Sequence, residues 1–383
     1  MRIAVVHHWF VTRGGGERVA ECIAALFPSA EIFTLVAGPA GTPESFAGRK
    51  LHTSFLQKLP LARTNHRHFL PLYPQAAESL DLRGFDLVLS SDSGPVKGVR
   101  LDAGARHICY CHSPMRYLWD GFAQYRAAMG TVTGAAFTLT APRVRRWDHR
   151  AAQRVTWFLA NSAYVADRIA RCYDKPSEVI HPPIDLHRAP LTLDAPVGEA
   201  YLCAGRLVSY KRTELLIEAC RKLGRKLRVA GAGPELEKLK ALAAGDSQIE
   251  FLGELPTAEL WGEFARCRAL LFAADEDFGM IPLEAQACGR PVIAYGAGGS
   301  LETVKAPETG TYFGEQTPES VAEAILRWEA EGEPVFAPSA ARAWAESFAT
   351  PLFLARYREF VLAHVPEAAA MAVTVEQAMK VLR

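Results

Sequence analysis

Short apolar runs of strand length alternate with helical segments twice along this chain, and a proline-rich break separates the two series. That alternation restricts the fold to the α/β class with parallel sheets, because parallel strands need crossover segments between them. In the first series the pattern predicts strands at Arg2–His7, Glu31–Leu35, Leu87–Ser90, His107–Tyr110 and Thr156–Ala160. A helix is predicted over Glu17–Phe27, where Val19, Ala20, Ile23, Ala24 and Phe27 recur at helical spacing. The break at His181–Pro196 holds Pro182, Pro183, Pro190 and Pro196 without periodicity and reads as an interdomain linker. The pattern then restarts with strands at Ala200–Ala204, Lys226–Ala230, Ile249–Leu252, Ala269–Ala273 and Pro291–Ala294. Helices are predicted at Thr213–Leu223, Pro234–Ala244 and Thr257–Ala265, and the tail from Ala340 to Arg383 is helical in composition. Two such series predict two Rossmann-like, doubly wound domains facing across a cleft, with ligands at the carboxyl ends of the strands. The 383 residues exceed what one ordinary core organises, which agrees.

Composition narrows the function class. Apolar residues make up 49% and charged residues 22%, ordinary for a globular enzyme. A formal charge of +1 gives no global field to attract nucleic acid, so no nucleic-acid partner is expected. The eight cysteines are scattered without a C-x-x-C pair, which fits a reducing cytoplasmic setting better than a disulfide framework. Cys109-Tyr110-Cys111-His112 offers a half-site without a second ligand group, so no structural metal is expected. Met1-Arg2 runs straight into the apolar Ile3-Ala4-Val5-Val6, which is too short for a signal's apolar region and reads as a first strand, so no secretory signal is expected. No apolar stretch approaches the ~20 residues that span a bilayer.

The second series carries the sharpest motifs. Gly205-Arg206-Leu207-Val208-Ser209-Tyr210-Lys211-Arg212 lies between a strand and a helix. A glycine and two cations before a helix suit a diphosphate, although a solvated basic turn has the same appearance. Gly231-Ala232-Gly233-Pro234 follows the next strand and, alone, reads equally as a tight turn. In Ala274-Asp275-Glu276-Asp277-Phe278-Gly279-Met280-Ile281-Pro282-Leu283-Glu284-Ala285, two glutamates stand eight positions apart around a Phe-Gly turn. Glu284 is placed to accept ribose hydroxyls, and Glu276 lies nearer the strand end. The Phe278–Met280 turn brings backbone N–H groups forward, as Gly279 permits. Asp275-Glu276-Asp277 also reads as a D-x-D divalent-metal motif. Arg206 and Lys211 already supply positive charge, so metal independence and no cofactor are expected. Gly296-Ala297-Gly298-Gly299-Ser300 opens another helix, either as an anion site or as a loop capped by Ser300.

In the first series, Gly14-Gly15-Gly16 joins strand one to helix one and lets backbone approach a ligand. No acidic residue follows the second strand, which argues against a dinucleotide fingerprint. His112-Ser113-Pro114-Met115-Arg116-Tyr117-Leu118-Trp119-Asp120 follows a strand end. His112 can hydrogen-bond a sugar there, and Tyr117 and Trp119 can stack on one; a satisfied core histidine is the plainer reading.

Together these segments resemble the retaining GT-B glycosyltransferases of glycosyltransferase family 4. The resemblance rests on the E-x7-E run Glu276–Glu284, the G-R-x-x-x-x-K element Gly205–Lys211 and the H-S-P-M-R-Y-x-W-D segment His112–Asp120. That last segment is like those of members, many of them mannosyltransferases, that act on lipid-linked oligosaccharides. The resemblance implies a hexosyltransferase moving mannose from GDP-mannose, with retained configuration, to a lipid-linked or polysaccharide-precursor acceptor. It implies catalytic roles for His112, Arg206, Lys211 and Glu276. Donor contacts are implied at Gly15, Gly16, Gly205, Gly231, Phe278, Gly279, Met280 and Glu284, and acceptor contacts at Arg116, Tyr117 and Trp119. Domains are then expected at 1–185 and 186–345, with helices over 346–383 crossing back onto the first. Asp277 departs from the family's usual Glu-Gly-Phe-Gly and bears on which sugar is bound. The basic and apolar residues of Lys50–Pro74, and Arg143, Arg145, Arg146, Arg150 and Arg154, suit either an anionic membrane surface or a polyprenyl diphosphate, and a solvated basic face equally. The expectation is a cytoplasmic protein peripheral on the inner face of the cell membrane. A nucleotide-sugar epimerase on the same fold and a non-catalytic nucleotide- or carbohydrate-binding protein are the alternatives.

Overall fold

The computed structural model describes residues 1–127, 129–190 and 193–382, with the side chains of 65–68 left aside. The chain divides into two compact units, Met1–Pro183 with Thr350–Arg383, and Ile184–Ala349.

The first unit is built on seven parallel strands: β1 (Ile3–Phe10), β2 (Glu31–Ala37), β3 (Leu51–Thr53), β4 (Leu87–Asp92), β5 (Arg106–Cys111), β6 (Trp157–Ala160) and β7 (Ser177–Val179). Their order is β3-β2-β1-β4-β5-β6-β7, so the sheet grows outward from β1 in both directions. One face is covered by the helix Gly15–Leu26 and by two helices from the C-terminal segment, Thr350–His364 and Val375–Leu382. Phe353, Leu354, Tyr357 and Val361 from that segment pack with Val5, Ile23 and Phe27 in one buried cluster. Ala4, Val6, Phe33 and Val88 meet Tyr73, Leu80 and Phe85 in a second cluster. Strands buried on both faces read as continuous apolar runs, which is why the central ones are legible in the sequence.

The differences from expectation have local causes. β1 continues past His7 to Phe10 and β4 past Ser90 to Asp92, because polar residues keep their ladder bonds to the strand ends, with His7 paired to Ser91. The three-residue strands β3 and β7 stand at the two edges and carry His52, Thr53, Ser177 and Glu178, so no apolar run marks them. The helix Thr131–Gln153 is not predicted, since Gly134 and Pro142 interrupt its pattern.

The second unit has six parallel strands: β8 (Tyr201–Ala204), β9 (Leu227–Ala230), β10 (Ile249–Gly253), β11 (Leu270–Phe272), β12 (Val292–Tyr295) and β13 (Gly310–Phe313). Their order, β10-β9-β8-β11-β12-β13, repeats the arrangement of the first sheet's β3-β2-β1-β4-β5-β6. The helix Thr213–Leu223 buries Leu215, Leu216, Ile217, Ala219 and Cys220 and ends at Gly224 in the left-handed conformation. Such a C-terminal glycine relieves the carbonyls of the last turn at little steric cost.

Candidate active site

In an open parallel sheet the crevice for a ligand lies where strand order reverses, at the carboxyl ends. Here that is between β1 and β4 and between β8 and β11. The predicted site residues follow the carboxyl ends of the strands in each unit.

In the second unit, Gly205 leaves β8 with φ +118°, and a Cβ there would lie 2.8 Å from both Ile281 Cδ1 and Lys211 Nζ. Gly231, after β9, is tighter: its Cβ would sit 1.9 Å from the Gly205 carbonyl oxygen. The two loops are therefore stacked backbone on backbone, with Gly205 N–H donating to Ala230 O at 2.9 Å and Leu207 N–H to Ala232 O at 2.9 Å. Arg206 is exposed and makes no hydrogen bond or ion pair among the described residues. Lys211 pairs with Glu276 at 2.9 Å, both largely buried. Burial works against the Lys211 charge, but Glu276 more than offsets it and holds the ammonium above its ordinary pKa.

The loop after β11 is braced by the glycine run. Gly299 N–H donates to Glu276 O at 2.8 Å, and a Cβ on Gly299 would lie 2.2 Å from Phe278 Cα. The Phe278 ring is buried with Ile184, Leu283 and Phe348. Gly279 takes φ +85° and opens the helix Met280–Ala287, on which Glu284 lies. Burial pushes the Glu284 carboxyl up to about 7; Arg188 and Lys211 pull it down, Asp185 pushes it up. Ser300 does not cap a helix: Gly299 does, the helix is one turn long, and the Ser300 hydroxyl is buried without a hydrogen-bond partner.

In the first unit, His112 directly follows β5, with its backbone N–H donating to Asp92 O at 2.8 Å and its Nε2 2.7 Å from Ser91 Oγ. Burial pushes His112 down to about 3, so it is neutral at pH 7. Gly16 lies over it: a Cβ on Gly16 would be 3.6 Å from His112 Nε2 and 3.5 Å from His7 Cε1. Gly15 and Gly16 form the first turn of the helix Gly15–Leu26, capped by Gly14. His7, His8, Glu17 and Ser91 join this cluster and are absent from the sequence reading. The visible signal is a pair of consecutive histidines ending an apolar strand.

Tyr117 and Trp119, expected at the acceptor, each make a side-chain hydrogen bond within the first unit. Trp119 donates its Nε1–H to the buried Asp148 at 2.9 Å, and Tyr117 donates to Met115 Sδ at 2.9 Å. Arg116 is half-buried beside them. Among the described residues no group of three His, Cys, Asp or Glu side chains is arranged to hold a metal ion.

Residues 13–188 match the family model described as Glycosyltransferase Family 4, and residues 197–344 that described as Glycosyl transferases group 1. Anabaena HepE, crystallised with UDP, superposes with a TM-score of 0.68 over 95% of this chain and 100% of its own, at 16% identity. Sucrose-phosphate synthase from Thermosynechococcus elongatus does so with a TM-score of 0.68 at 17% identity, over 95% and 100%. The chain has the GT-B fold. A GDP-mannose-dependent alpha-(1-6)-phosphatidylinositol monomannoside mannosyltransferase of Mycobacterium tuberculosis is 30% identical over 212 residues, 48% of this chain and 55% of that one. A counterpart in Mycolicibacterium smegmatis is 36% identical over 126 residues, 29% and 33% of the two chains. The chain thus spans between a third and about half the length of these curated relatives.

For this GT-B chain, the raised Glu284 pKa has a testable consequence. Ribose hydroxyls donate to a carboxylate, so a nucleotide whose ribose met Glu284, as the family resemblance implies, would favour the ionised form, which grows as pH rises through about 7. Calorimetric affinity for a nucleoside diphosphate is expected to tighten by up to about tenfold from pH 6 to pH 8. Glu284→Gln should flatten that rise; an equal slope in the variant would remove Glu284 from the ribose site.

Proposed function

We propose that the protein is a retaining hexosyltransferase that moves mannose from GDP-mannose to a lipid-linked or polysaccharide-precursor acceptor. The observation that carries the reading is the second unit's backbone cradle. Gly205, Gly231 and Gly233 are held where side chains cannot fit, with the unpaired Arg206 and the Lys211–Glu276 pair beside them. Such a surface lets a diphosphate approach the main chain closely, and two cations neutralise it. Mannose as the sugar draws support from the relatives' names and from the His112–Asp120 segment.

In the proposed chemistry the bond from the anomeric carbon to the diphosphate oxygen breaks first. Arg206 and Lys211 stabilise the charge that develops on the leaving group. Glu276 and the backbone of Phe278–Met280 hold the hexose hydroxyls, and His112 adds a hydrogen bond to the sugar. The leaving phosphate takes the acceptor hydroxyl's proton as the new glycosidic bond forms on the same face, which retains configuration. Rate enhancement then comes from positioning and preorganised charge, with no protein nucleophile. No metal is needed in this scheme, because the cations do its work.

Slow donor cleavage without acceptor tests the reading across GDP-mannose, GDP-fucose, UDP-glucose and UDP-N-acetylglucosamine. GDP-mannose should be cleaved fastest, EDTA should leave the rate unchanged, and Arg206→Ala should lower it by on the order of a hundredfold. Preference for a UDP-sugar would overturn the donor assignment. A metal requirement restored by Mn²⁺ would return the Asp275–Asp277 cluster to a metal role.

We further propose contact with an anionic membrane surface through the first unit. Among the described residues no helix is long and apolar enough to cross a membrane. The exposed face of the helix Thr131–Gln153 instead runs Val132, Ala136, Leu139, Arg143, Arg146 and Arg150, apolar at one end and basic at the other. Val132 and Leu139 are 83% and 73% exposed. Phe55, Leu61 and Arg63 add exposed apolar and basic groups from the Lys50–Pro74 stretch, whose His66, Arg67 and His68 side chains lie outside those described. Each basic residue near such a surface contributes about 1 kcal/mol and is screened by salt. The protein should sediment with anionic vesicles at low salt and be released at high salt, and an Arg143→Glu, Arg146→Glu, Arg150→Glu variant should not sediment. Equal recovery of wild type and variant with the vesicles would contradict this.

A further inference from the structure

The cluster around His112 contains a chain of hydrogen bonds whose direction is set at one end. His7 Nδ1 stands 2.9 Å from the Ser91 carbonyl oxygen. A carbonyl only accepts, so Nδ1 of His7 carries the proton. His7 Nε2 is then a bare lone pair. It is buried without a hydrogen-bond partner, and Glu17 Oε1, at 3.9 Å, is beyond hydrogen-bond range. Under-satisfied acceptors are somewhat less rare in protein interiors than stranded N–H groups, which agrees with this assignment. The same His7 Nδ1–H also lies 3.1 Å from Ser91 Oγ, which therefore acts as an acceptor on that side. The Ser91 hydroxyl proton has two places to go: His112 Nε2 at 2.7 Å or the Gly16 carbonyl at 3.3 Å. The nearer acceptor is the histidine.

Resting on the reading of His112 as the hydrogen-bond partner of the transferred hexose, we propose that Ser91 and His7 are positioning residues that hold His112 in the tautomer with its proton on Nδ1. His112 Nε2 is committed to Ser91 Oγ, and Nδ1 has no hydrogen-bond partner among the described residues. In this tautomer Nδ1 presents an N–H, so the ring recognises an oxygen lone pair on the sugar. In the other tautomer it would present a lone pair and demand a hydroxyl proton. Burial keeps both His7 and His112 neutral at pH 7, so the choice is between tautomers and involves no net charge. The pieces come from three parallel strands: His7 on β1, Ser91 paired with it on β4, and His112 directly after β5.

The test is ¹⁵N-histidine NMR on the full chain at neutral pH, with the His112 signals assigned by their loss in His112→Asn. Wild type should show a protonated Nδ1 and an unprotonated Nε2 at His112, and Ser91→Ala should shift the population toward Nε2–H. Donor-cleavage kinetics supply the second readout. Ser91→Ala and His7→Leu should lower kcat by about tenfold, the scale of one misdirected hydrogen bond, with little change in KM. His7→Asn, which keeps an N–H at the position of Nδ1, should lose less than His7→Leu. A wild-type His112 protonated on Nε2, or a tautomer that ignores Ser91→Ala, overturns the proposal. Absence of donor cleavage with every nucleotide sugar would instead count against the hexosyltransferase reading, and the spectra would still decide the tautomer.

Discussion

A parallel sheet that grows outward from an inner strand in both directions leaves a gap at the carboxyl ends, because the connections on its two sides diverge there. Both sheets of this chain are wound that way, from β1 and from β8. Most of the site depends on that constraint. It puts Gly16, Ser91 and His112 at one reversal point and Gly205, Lys211 and Glu276 at the other. In the first unit the strand ends are secured by a buried ionic triad. Lys97, fully buried, donates to Asp148 at 2.8 Å and Gly94 O at 2.5 Å, with Asp92 at 3.1 Å. Burial disfavours its charge, but the two carboxylates hold the ammonium well above its ordinary pKa. Asp92 also receives the N–H groups of Gly94 and Lys97, and its carbonyl anchors His112. Removing one member of such a buried set costs about 3–5 kcal/mol, since the rest is left uncompensated. The triad contributes geometry as much as stability, because it fixes the residues on either side of Asp92.

In the second unit the equivalent work is done without charge. Main chain packs on main chain at Gly231 over Gly205, at Gly233 over Leu207 and at Gly299 over Phe278. Such contacts exclude every side chain at those points, and the N–H groups of Gly205, Gly231 and Gly299 donate to neighbouring carbonyls, which locks the loops together. The Lys211–Glu276 pair sits beside this surface with little exposure. A diphosphate entering there gives Lys211 a second anionic partner and leaves Glu276 available to sugar hydroxyls.

The legible parts of the fold and site are those written in contiguous residues. Central strands buried on both faces announce themselves as apolar runs, and Gly205–Lys211 and Glu276–Glu284 are local loops whose glycines and charges stand together in sequence. The edge strands β3 and β7 lack apolar runs and stayed hidden. His7 and Ser91 stayed hidden for a different reason: they are 84 residues apart and meet only through the β1–β4 register. Trp119 shows the same limit: its bond to Asp148, 29 residues on, comes from the fold and has no mark in the local pattern.

The central claim is that the two units serve transfer of a hexose from a nucleotide donor. Real-time ³¹P NMR of GDP-mannose with the full chain, with and without a polyprenyl-diphosphate-linked glycan acceptor, tests it most directly. The account predicts that acceptor accelerates release of GDP and that a glycolipid one hexose larger appears in equal amount. Conversion of the nucleotide sugar to an epimer without GDP release, or a donor signal unchanged by any acceptor, would contradict it.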